Sequence, residues 1–282
     1  ATSNTKSKME APNGAVLEEG DRSRSSSAVI FLGTGCSSAV PNATCLIRPS
    51  DPPCHVCSSS LSLPPDRNPN YRCNTSLLID YFRESEHSYI IIDVGKTFRE
   101  QVLRWFTFHR IPRVDCIILT HEHADAVLGL DDIRSVQPHS PANDIDPTPI
   151  FVSQFAMDSL AVKFPYLVKK KLEEGQEIRR VAQLNWQIID EDCQKPFVAS
   201  GVKFFPLPVM HGEDYVCLGF LFGEKSRIAY ISDVSRIPTT TEYVIAAISK
   251  TGAGQLDLLI LDTLYRNGSH NTHFCFPQTL EA

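Results

Sequence analysis

Short apolar runs alternate along the chain with segments whose apolar positions recur at helical spacing. The runs are bounded by turn residues and are rich in Val, Ile, Leu and Phe, which predicts β-strands. Ten strands are predicted in this way, over Ala28–Leu32, Thr75–Tyr81, Tyr89–Ile92, Cys116–Leu119, Ile150–Val152, Trp186–Ile189, Val202–Pro206, Cys217–Phe222, Arg227–Ile231 and Leu256–Leu261. Helical patterns cover Phe98–Arg110, Val127–Val136, Gln154–Phe164 and Thr241–Lys250. Helices spread through two groups of strands predict an α/β fold, in which packed sheets carry helices on their outer faces.

Two segments fall outside this alternation. Residues 1–27 are rich in Ser, Ala and charges of both signs and have few large apolar side chains, so we expect a disordered tail. The Pro- and Ser-rich segment Pro49–Arg72 predicts a long loop or insertion. We therefore divide the chain into a tail, residues 1–27, and one domain, residues 28–282, with a cysteine-containing loop at 45–73.

Composition narrows the class of protein. The 282 residues are 42% hydrophobic and 21% charged, as in ordinary globular domains. The net charge of −6 argues against broad electrostatic attraction to nucleic acid or anionic membrane. No apolar run approaches the roughly 20 residues that span a bilayer, so we expect no membrane partner. Nine cysteines without regular spacing suit a reducing compartment, which predicts a cytoplasmic protein.

The most informative polar positions directly follow the apolar strand Cys116–Leu119, in a His-x-His-x-Asp pattern. His121, His123 and Asp125 share one side of an extended loop, whereas Glu122 points the other way. Imidazole suits zinc and other borderline metals, and a carboxylate can serve a second ion or orient a water. The alternative is a surface loop whose polar residues cap the next helix.

Two further polar residues, His211 and Asp233, also follow apolar strands. Each alone is uninformative, because a carboxylate at a strand end usually caps a helix. Together with His121 and His123 they make three imidazoles and a carboxylate. Such a set can hold a metal ion and leave a position for water.

The order of these motifs resembles the metallo-β-lactamase superfamily. A strand leads into Asp93-Val94-Gly95, and the His-x-His-x-Asp pattern, His211 and Ser232-Asp233 follow in turn. The opening Phe31-Leu32-Gly33-Thr34-Gly35-Cys36-Ser37, followed by Pro41, resembles the phosphodiesterase branch. That branch contains tRNase Z and the cyclic-phosphate phosphodiesterase of the bacterial carbon–phosphorus lyase pathway. The resemblance spans residues 28–282.

The resemblance implies a four-layer αββα sandwich, the metallo-β-lactamase fold, with metals at one edge. The three histidines would hold a first ion, Asp233 would bridge to a second, and Asp93 would steady the histidine loop. Asp125 would serve the second ion, and we also count it as catalytic because it could orient a water. The implied cofactor is Zn²⁺ or Mn²⁺, and the implied reaction is hydrolysis by a metal-bound hydroxide. The implied metal ligands are His121, His123, Asp125, His211 and Asp233.

Two features depart from the superfamily pattern. Most members have another histidine after the motif Asp, where this chain has Ala126, which cannot ligate a metal. The family also places a last histidine after a further strand, and the sequence ends at Ala282. We therefore expect a short form that lacks the last strand and helix. Asp131 and Asp132 lie about 10 Å further along a helix, too far to substitute. We expect one firmly held ion and a second site that is weak for zinc.

Two late histidines, His270 and His273, precede a predicted C-terminal helix at 277–282. In the phosphodiesterase branch, a histidine before the late helix contacts the scissile phosphate or protonates the leaving group. Counting back from Leu280, His273 occupies that place, and we predict that it is the general acid. Its ordinary pKa near about 6.5 suits proton donation at neutral pH. His270 is the competing candidate, and either histidine could instead hydrogen-bond the helix start.

The cysteine-containing loop carries a separate signal. Cys45, Cys54 and Cys57 include a Cys-x-x-Cys, as structural zinc sites often do. The carbon–phosphorus phosphodiesterase has a comparable three-cysteine zinc loop, and Cys73 is a candidate fourth ligand here. The alternative is three free thiols. The remaining cysteines are predicted to be packing residues or inert thiols: Cys36, Cys116, Cys193, Cys217 and Cys275.

The leading hypothesis for function is a metal-dependent hydrolase that cleaves a phosphodiester, either a small cyclic phosphate or an RNA end. The acidic net charge favours the small molecule, and the basic stretch of Lys169-Lys170-Lys171 with Arg179-Arg180 is more typical of a solvated helix face. One alternative is a thioester or lactone hydrolase of the glyoxalase II type. Another is a metal-binding interaction protein with impaired catalysis. The sequence leaves the oligomeric state open, with a dimer plausible.

Overall fold

The structure is a computed structural model that describes residues 25–64, 67–141, 145–168, 181–250 and 255–282, without the side chains of 248–250. Most of the predicted tail over residues 1–27 lies outside the described residues. So do the basic residues Lys169-Lys170-Lys171 and Arg179-Arg180.

Eleven strands in the described part of the chain form two mixed sheets. The first sheet follows chain order and contains β1 (Ala28–Gly33), β2 (Ser76–Arg83), β3 (Glu86–Ile92), β4 (Cys116–Ile118), β5 (Thr148–Ser153) and β6 (Leu184–Ile189). The second sheet has the spatial order β11-β10-β9-β8-β7. Its strands are β7 (Phe197–Ala199), β8 (Val202–Met210), β9 (Val216–Phe222), β10 (Arg227–Ile231) and β11 (Leu256–Leu261).

Helices connect the strands. They are α1 (Ala43–Ile47), α2 (His55–Ser59), α3 (Phe98–Gln101), α4 (Thr107–His109), α5 (Ala124–Val127), α6 (Gln154–Lys163), α7 (Pro165–Val168), α8 (Thr239–Lys250) and α9 (Phe276–Glu281). A π-helical turn (Val102–Phe106) joins α3 to α4, and a 3₁₀ helix (Leu130–Val136) follows α5. No helix in the described part of the chain combines the length and apolar character needed to cross a membrane.

The side chains of β3 show how the layers stack. Ile90 and Ile92 face the second sheet, where they share a core with Phe204 and Phe220. Ile91 points to the opposite side and shares a core with the helices of the first sheet. A third core forms on the outer face of the second sheet, against α8. Since side chains alternate between the two faces of a strand, the order of layers is helix, sheet, sheet, helix. The predicted αββα sandwich is confirmed.

The predicted helical segment Val127–Val136 is helical over most of its length but is not one continuous α-helix. The α-helix ends at Val127, and a 3₁₀ helix begins at Leu130. Gly129 explains the break, because its N–H donates to the carbonyl oxygen of Val94, at 2.8 Å, rather than within the helix. A Cβ atom at Gly129 would lie 2.5 Å from the carbonyl oxygen of Gly95, so the two backbones can pack this closely only with glycine.

Candidate metal centre

The candidate site lies where strands of both sheets end. Residues 119–125 follow β4, His211 follows β8, and Asp233 follows β10. Strands β10 and β11 are parallel, with Ile231 paired to Leu261, so Asp262 after β11 lies at the same edge as Asp233. The carboxyl ends of these strands therefore bring polar residues that are distant in sequence to one place.

Three imidazoles converge at this edge. The ring centroids of His121 and His123 are 4.6 Å apart, and that of His211 lies 5.4 Å and 5.2 Å from them. One nitrogen from each of the three rings lies within 4.8 Å of one nitrogen from each of the other two. This spacing is compatible with ligation of one ion by all three histidines, since Zn–N bonds are about 2.0–2.1 Å long.

A hydrogen-bond chain orients His121. Asp93 accepts the backbone N–H of Thr120 at 2.9 Å and its hydroxyl at 2.8 Å, and the Thr120 oxygen lies 2.8 Å from Nδ1 of His121. Because the hydroxyl proton goes to Asp93, Nδ1 of His121 donates and Nε2 keeps its lone pair. That Nε2 atom is buried without a hydrogen-bond partner. Burial lowers the pKa of His121 to about 4, which favours the neutral, ligating form.

A carbonyl group orients His211 in the same way. Its Nδ1 donates to the carbonyl oxygen of Thr272 at 2.7 Å, which leaves Nε2 free. Burial lowers the pKa of His211 below its ordinary value, so this ring is also neutral. The contact ties the segment that carries His273 to the histidine loops.

The predicted carboxylates occupy different places. A carboxylate oxygen of Asp233 lies within 4.8 Å of a ring nitrogen of both His211 and His273. A carboxylate oxygen of Asp233 also lies within 4.8 Å of a ring nitrogen of His121 and the sulfur of Cys217. Burial acts to raise the pKa of Asp233, but the neighbouring imidazoles hold it below its ordinary value. Asp125 is half-buried and lines the adjoining cavity, and it belongs to no ligand-atom group of three in the described part of the chain.

His273 lies inside the site, whereas His270 is exposed. Nδ1 of His273 lies 2.7 Å from Asp262 and 3.7 Å from Asp233. Burial acts to lower the pKa of His273, but the hydrogen bond and charge of Asp262, together with Asp233 and Asp125, raise it above its ordinary value. Asp262 was not among the site residues predicted from the sequence. Its signal was a carboxylate directly after the predicted strand Leu256–Leu261.

Tyr215, which was also not predicted from the sequence, connects the two histidine loops. Its ring stacks on His123 at a centroid distance of 4.9 Å and 18° between planes, and its hydroxyl donates to Glu122. The backbone N–H of His211 donates to the carbonyl oxygen of Tyr215 at 2.8 Å. Glu122 is therefore a buried partner of Tyr215, as its predicted orientation away from the ligands allows.

A cavity of about 370 Å³ adjoins the histidines. Its lining includes Asp125, Asp233, Asp262, His273 and the loop at 33–37. Gly33 and Gly35 allow this loop to lie directly against the neighbouring segment, since a Cβ at Gly33 would be 1.9 Å from the carbonyl oxygen of Asn74.

The residue after Asp125 is Ala126, which is buried at 2% exposure and also lines the cavity. Asp131 does not replace the missing ligand, because it pairs with Arg134 at 3.7 Å.

The predicted cysteine cluster is formed by α1, α2 and the turn before α2. The sulfur atoms of Cys45, Cys54 and Cys57 lie within 4.8 Å of one another. Hydrogen bonds with Cys57 lower the pKa of Cys54, and the bond with the backbone of Cys57 contributes more than the bond with its side chain. Cys73 is not in this group. It lies against Glu100, at 3.8 Å, in the segment behind the glycine loop, where burial raises its pKa to about 11.

The remaining cysteines divide by exposure. Cys116, Cys193, Cys217 and Cys275 are buried free thiols, as the packing interpretation requires. Cys36 is exposed and lines the cavity, so it is not a packing residue, and the other predicted alternative, an inert thiol, stays a prediction.

Comparison with known proteins defines the class. A family model described as a beta-lactamase superfamily domain matches residues 88–282. The chain therefore belongs to the β-lactamase superfamily, and its two-sheet architecture is the metallo-β-lactamase fold, as the motifs predicted. This superfamily is hydrolytic, and the fold implies a divalent metal ion at the histidine cluster.

Individual relatives refine this comparison. A new diphosphatase from the PhnP family superposes with a TM-score of 0.66 and 28% identity, over 90% of this chain and 81% of that one. Zn²⁺-bound PqqB from Methylobacterium extorquens shares the fold, with a TM-score of 0.53 and 15% identity, over 81% and 78% of the two chains. An octanoyltransferase of Porphyromonas gingivalis is 30% identical over 206 residues, which are 73% of this chain. The chain spans 35% of that protein's length.

Proposed function

We propose that the protein is a metal-dependent phosphodiesterase that cleaves small phosphate diesters. The observation that carries the proposal is the convergence of three imidazoles with the His273–Asp262 pair beside one cavity. The similarity to a PhnP-family diphosphatase supports phosphate ester chemistry. The net charge of −6 and the cavity of about 370 Å³ favour a small substrate, with an RNA end as the alternative.

The residues of the site fit a divalent cation. His121 presents a buried Nε2 atom without a partner, and three imidazoles with a carboxylate form a donor set that suits Zn²⁺ or Mn²⁺. His121, His123, His211 and Asp233 would hold the ion, with Asp125 serving a second, weaker position. When bound, such an ion activates water and offsets negative charge on the phosphate oxygens.

His273 is the proposed general acid. Asp262 holds its Nδ1 and raises its pKa, which favours the protonated ring that can deliver a proton through the other nitrogen. The proton goes to the oxygen of the leaving group as the phosphorus–oxygen bond breaks. Asp125 lines the same cavity and is proposed to orient the attacking water.

The cysteine cluster is proposed to bind a structural zinc ion. Three thiolates would provide three ligands, and their spacing within 4.8 Å fits one ion. Asn42 donates its N–H to Sγ of Cys57 at 3.4 Å, two residues after Val40, which lines the cavity, so zinc would hold this segment in place. Replacement of Cys54 by Ser is expected to remove one equivalent of zinc while metal remains at the histidines.

Hydrolysis of a thioester or lactone is the second candidate. The octanoyltransferase relative favours acyl chemistry, but the chain spans 35% of that protein. The paired His273 and Asp262 favour phosphodiester cleavage, because a poor alkoxide leaving group needs a proton. A metal-binding protein with impaired catalysis would keep the metal and cleave neither class of substrate.

Turnover of bis-p-nitrophenyl phosphate with added Zn²⁺ or Mn²⁺ tests the proposal. We expect hydrolysis that falls at least about a hundredfold in His121→Ala, because a metal ligand is lost. His139→Ala is the matched control, since His139 is an exposed histidine outside the cavity lining. Turnover of an octanoyl thioester without phosphodiester cleavage would favour the second candidate. Bound metal without any turnover would favour the interaction protein.

A further inference from the structure

An exposed aromatic ring lies beside the histidine cluster. Phe155 is 59% exposed, and its ring packs against that of Tyr215 at a centroid distance of 5.8 Å and 79° between planes. Tyr215 in turn stacks on His123 and lies 5.8 Å from the ring of His211. Because single exposed apolar side chains are common on proteins, the position of Phe155 matters more than its exposure. It lies two ring contacts from a proposed metal ligand.

The topology of the first sheet places Phe155 at the edge that carries the metal ligands. Strands β4 and β5 are parallel neighbours, and the N–H of Leu119 donates to the carbonyl oxygen of Phe151 at 2.9 Å. The histidine loop follows β4 and α6 follows β5, so the start of α6 lies beside this loop. Lys163, at the end of α6, donates to the carbonyl oxygen of Glu122 at 2.8 Å and fastens the helix to the histidine loop.

The first turn of α6 holds the backbone of Phe155 in place. Ser153, the buried last residue of β5, caps the helix by accepting the N–H of Ala156 at 3.3 Å. Ala156 and Leu160 are buried in the core between the first sheet and its helices. One face of α6 is therefore fixed against the sheet, and the exposed ring of Phe155 belongs to a packed helix rather than to a free loop.

The histidine cluster borders two different surfaces. His273 and Asp262 line the polar cavity, whereas Phe155 and Tyr215 are not among the described residues that line it. A general acid must lie beside the leaving oxygen, so the leaving group of the proposed reaction lies on the His273 side. The ester group that stays on phosphorus then occupies another side of the cluster, and the aromatic pair borders the cluster at His123.

We propose that Phe155 determines specificity by packing against a planar aromatic group on the ester oxygen that phosphorus retains. The proposal rests on the proposed phosphodiesterase function and adds the substrate class to it. Aromatic pairs contribute free energy beyond the area that they bury, and small-molecule sites combine aromatic side chains with a few polar groups. Phe155 contacts the substrate and takes no part in breaking the bond.

Three diesters with one leaving group test the proposal. Phenyl, cyclohexyl and methyl p-nitrophenyl phosphate all release p-nitrophenolate and differ only in the retained group. Phe155→Ala is expected to lower kcat/KM for the phenyl ester by about 5- to 10-fold relative to the native protein, because an aromatic contact is lost. The methyl ester should change by less than about twofold, and the cyclohexyl ester, which is apolar but not planar, should fall between them. Phe155→Tyr keeps the ring and should keep the native selectivity.

Phe108→Ala is the matched control. Phe108 is a phenylalanine on α4 that is 38% exposed and packs against Trp105 and His109 rather than against the metal centre. Its replacement should leave all three esters unaffected. An equal loss on all three esters in Phe155→Ala, or no loss on any, would overturn the proposal. A selective loss on the phenyl ester in Phe108→Ala would overturn it as well.

A binding measurement separates the aromatic contact from the proposed catalysis. Calorimetry with the zinc-loaded protein compares phenylphosphonate with methylphosphonate, neither of which is hydrolysed. The native protein should bind phenylphosphonate about 5- to 10-fold more tightly, and Phe155→Ala should lose this preference. Equal binding by the native protein, or a preference that Phe155→Ala retains, contradicts the contact whatever the turnover. The expected preference without hydrolysis of any ester would count against the proposed function alone.

Discussion

At the level of single residues, the hydrogen bonds behind the imidazoles decide which nitrogen faces the site. The Nδ1 atoms of His121, His211 and His273 each bond an oxygen of a neighbouring residue. The oxygen belongs to a hydroxyl for His121, a carbonyl for His211 and a carboxylate for His273, and this difference decides the protonation state that each ring favours. A hydroxyl or a carbonyl leaves a neutral ring that can ligate a metal, whereas the Asp262 carboxylate stabilises a protonated ring. Histidines a few ångströms apart can therefore perform different tasks.

Removal of His273 should affect poor leaving groups most. A general acid contributes about 10²- to 10⁴-fold when the leaving oxygen is strongly basic. We expect a loss of that order in His273→Ala for an alkyl leaving group and a much smaller loss for p-nitrophenolate, which departs without a proton. The slope of kcat against leaving-group pKa measures the difference. His270→Ala should leave the slope unchanged, and an equal loss on all leaving groups in His273→Ala would contradict the assignment.

Ala126 is expected to limit the second metal position. It lines the cavity next to Asp125, where most of the superfamily has a ligating histidine. Ala126→His should raise the number of ions bound per chain, measured by mass spectrometry of the metals after dialysis. Ala126→Gln is the control, because it adds side-chain volume without an imidazole. Unchanged stoichiometry in a folded Ala126→His protein would count against the position assigned to the second ion.

At the level of elements, Tyr215 couples the loop after β4 to the connection between β8 and β9. It stacks on His123 while its hydroxyl donates to Glu122. Tyr215→Phe keeps the ring and loses the hydrogen bond to Glu122. We expect zinc affinity to fall by less than the about 10- to 100-fold typical of a lost partner of a ligand, because this bond does not go to a ligand itself. Tyr215→Leu also loses the stacking and should fall further.

The absorption spectrum of the Co²⁺-substituted protein gives an independent measure of the same effect. Ligand-field bands should shift in both Tyr215 variants, because the His123 ring is held less firmly. Tyr243→Phe is the control, as Tyr243 is 72% exposed on α8. A native spectrum and native affinity in Tyr215→Leu would show that the stacking has no effect on the metal centre.

The elements also show what the sequence could predict. Apolar runs located the strands well, and His121, His211 and Asp233 could be found because each follows such a run. Strand β7 was missed because its three residues lie between Pro196 and Ser200-Gly201, and these turn residues alone indicate a loop. Tyr215 could not be assigned from sequence, since its role depends on how closely two loops approach. The break at Gly129 likewise depends on a contact with Val94, which is distant in sequence.

At the level of the whole molecule, the packing of the two sheets against each other sets the positions of the proposed metal ligands. The ligands come from the ends of strands in both sheets, so a bound ion would link the two halves of the domain. Binding to the folded state alone stabilises it by about 2.7 kcal/mol when free ion is a hundredfold above Kd. In a domain of this size that corresponds to a rise in Tm of several degrees.

Zinc should therefore raise Tm, and both the proposed histidine centre and the proposed cysteine site should contribute to the rise. We expect the rise to be partly lost in His121→Ala and partly lost in Cys54→Ser, with both losses present in the double variant. Calorimetry with and without a chelator measures these shifts. His139→Ala should behave as the native protein. A native-sized rise in the double variant would show that zinc stabilises the protein through other residues.

Diffraction from crystals of the zinc-loaded protein, recorded at the zinc absorption edge, tests most directly whether the three histidines ligate one metal ion. We predict an anomalous peak about 2.0–2.1 Å from one nitrogen of each of His121, His123 and His211. A loaded crystal with no peak among these three rings, or with a peak held by other residues of the cavity, would contradict the proposed centre.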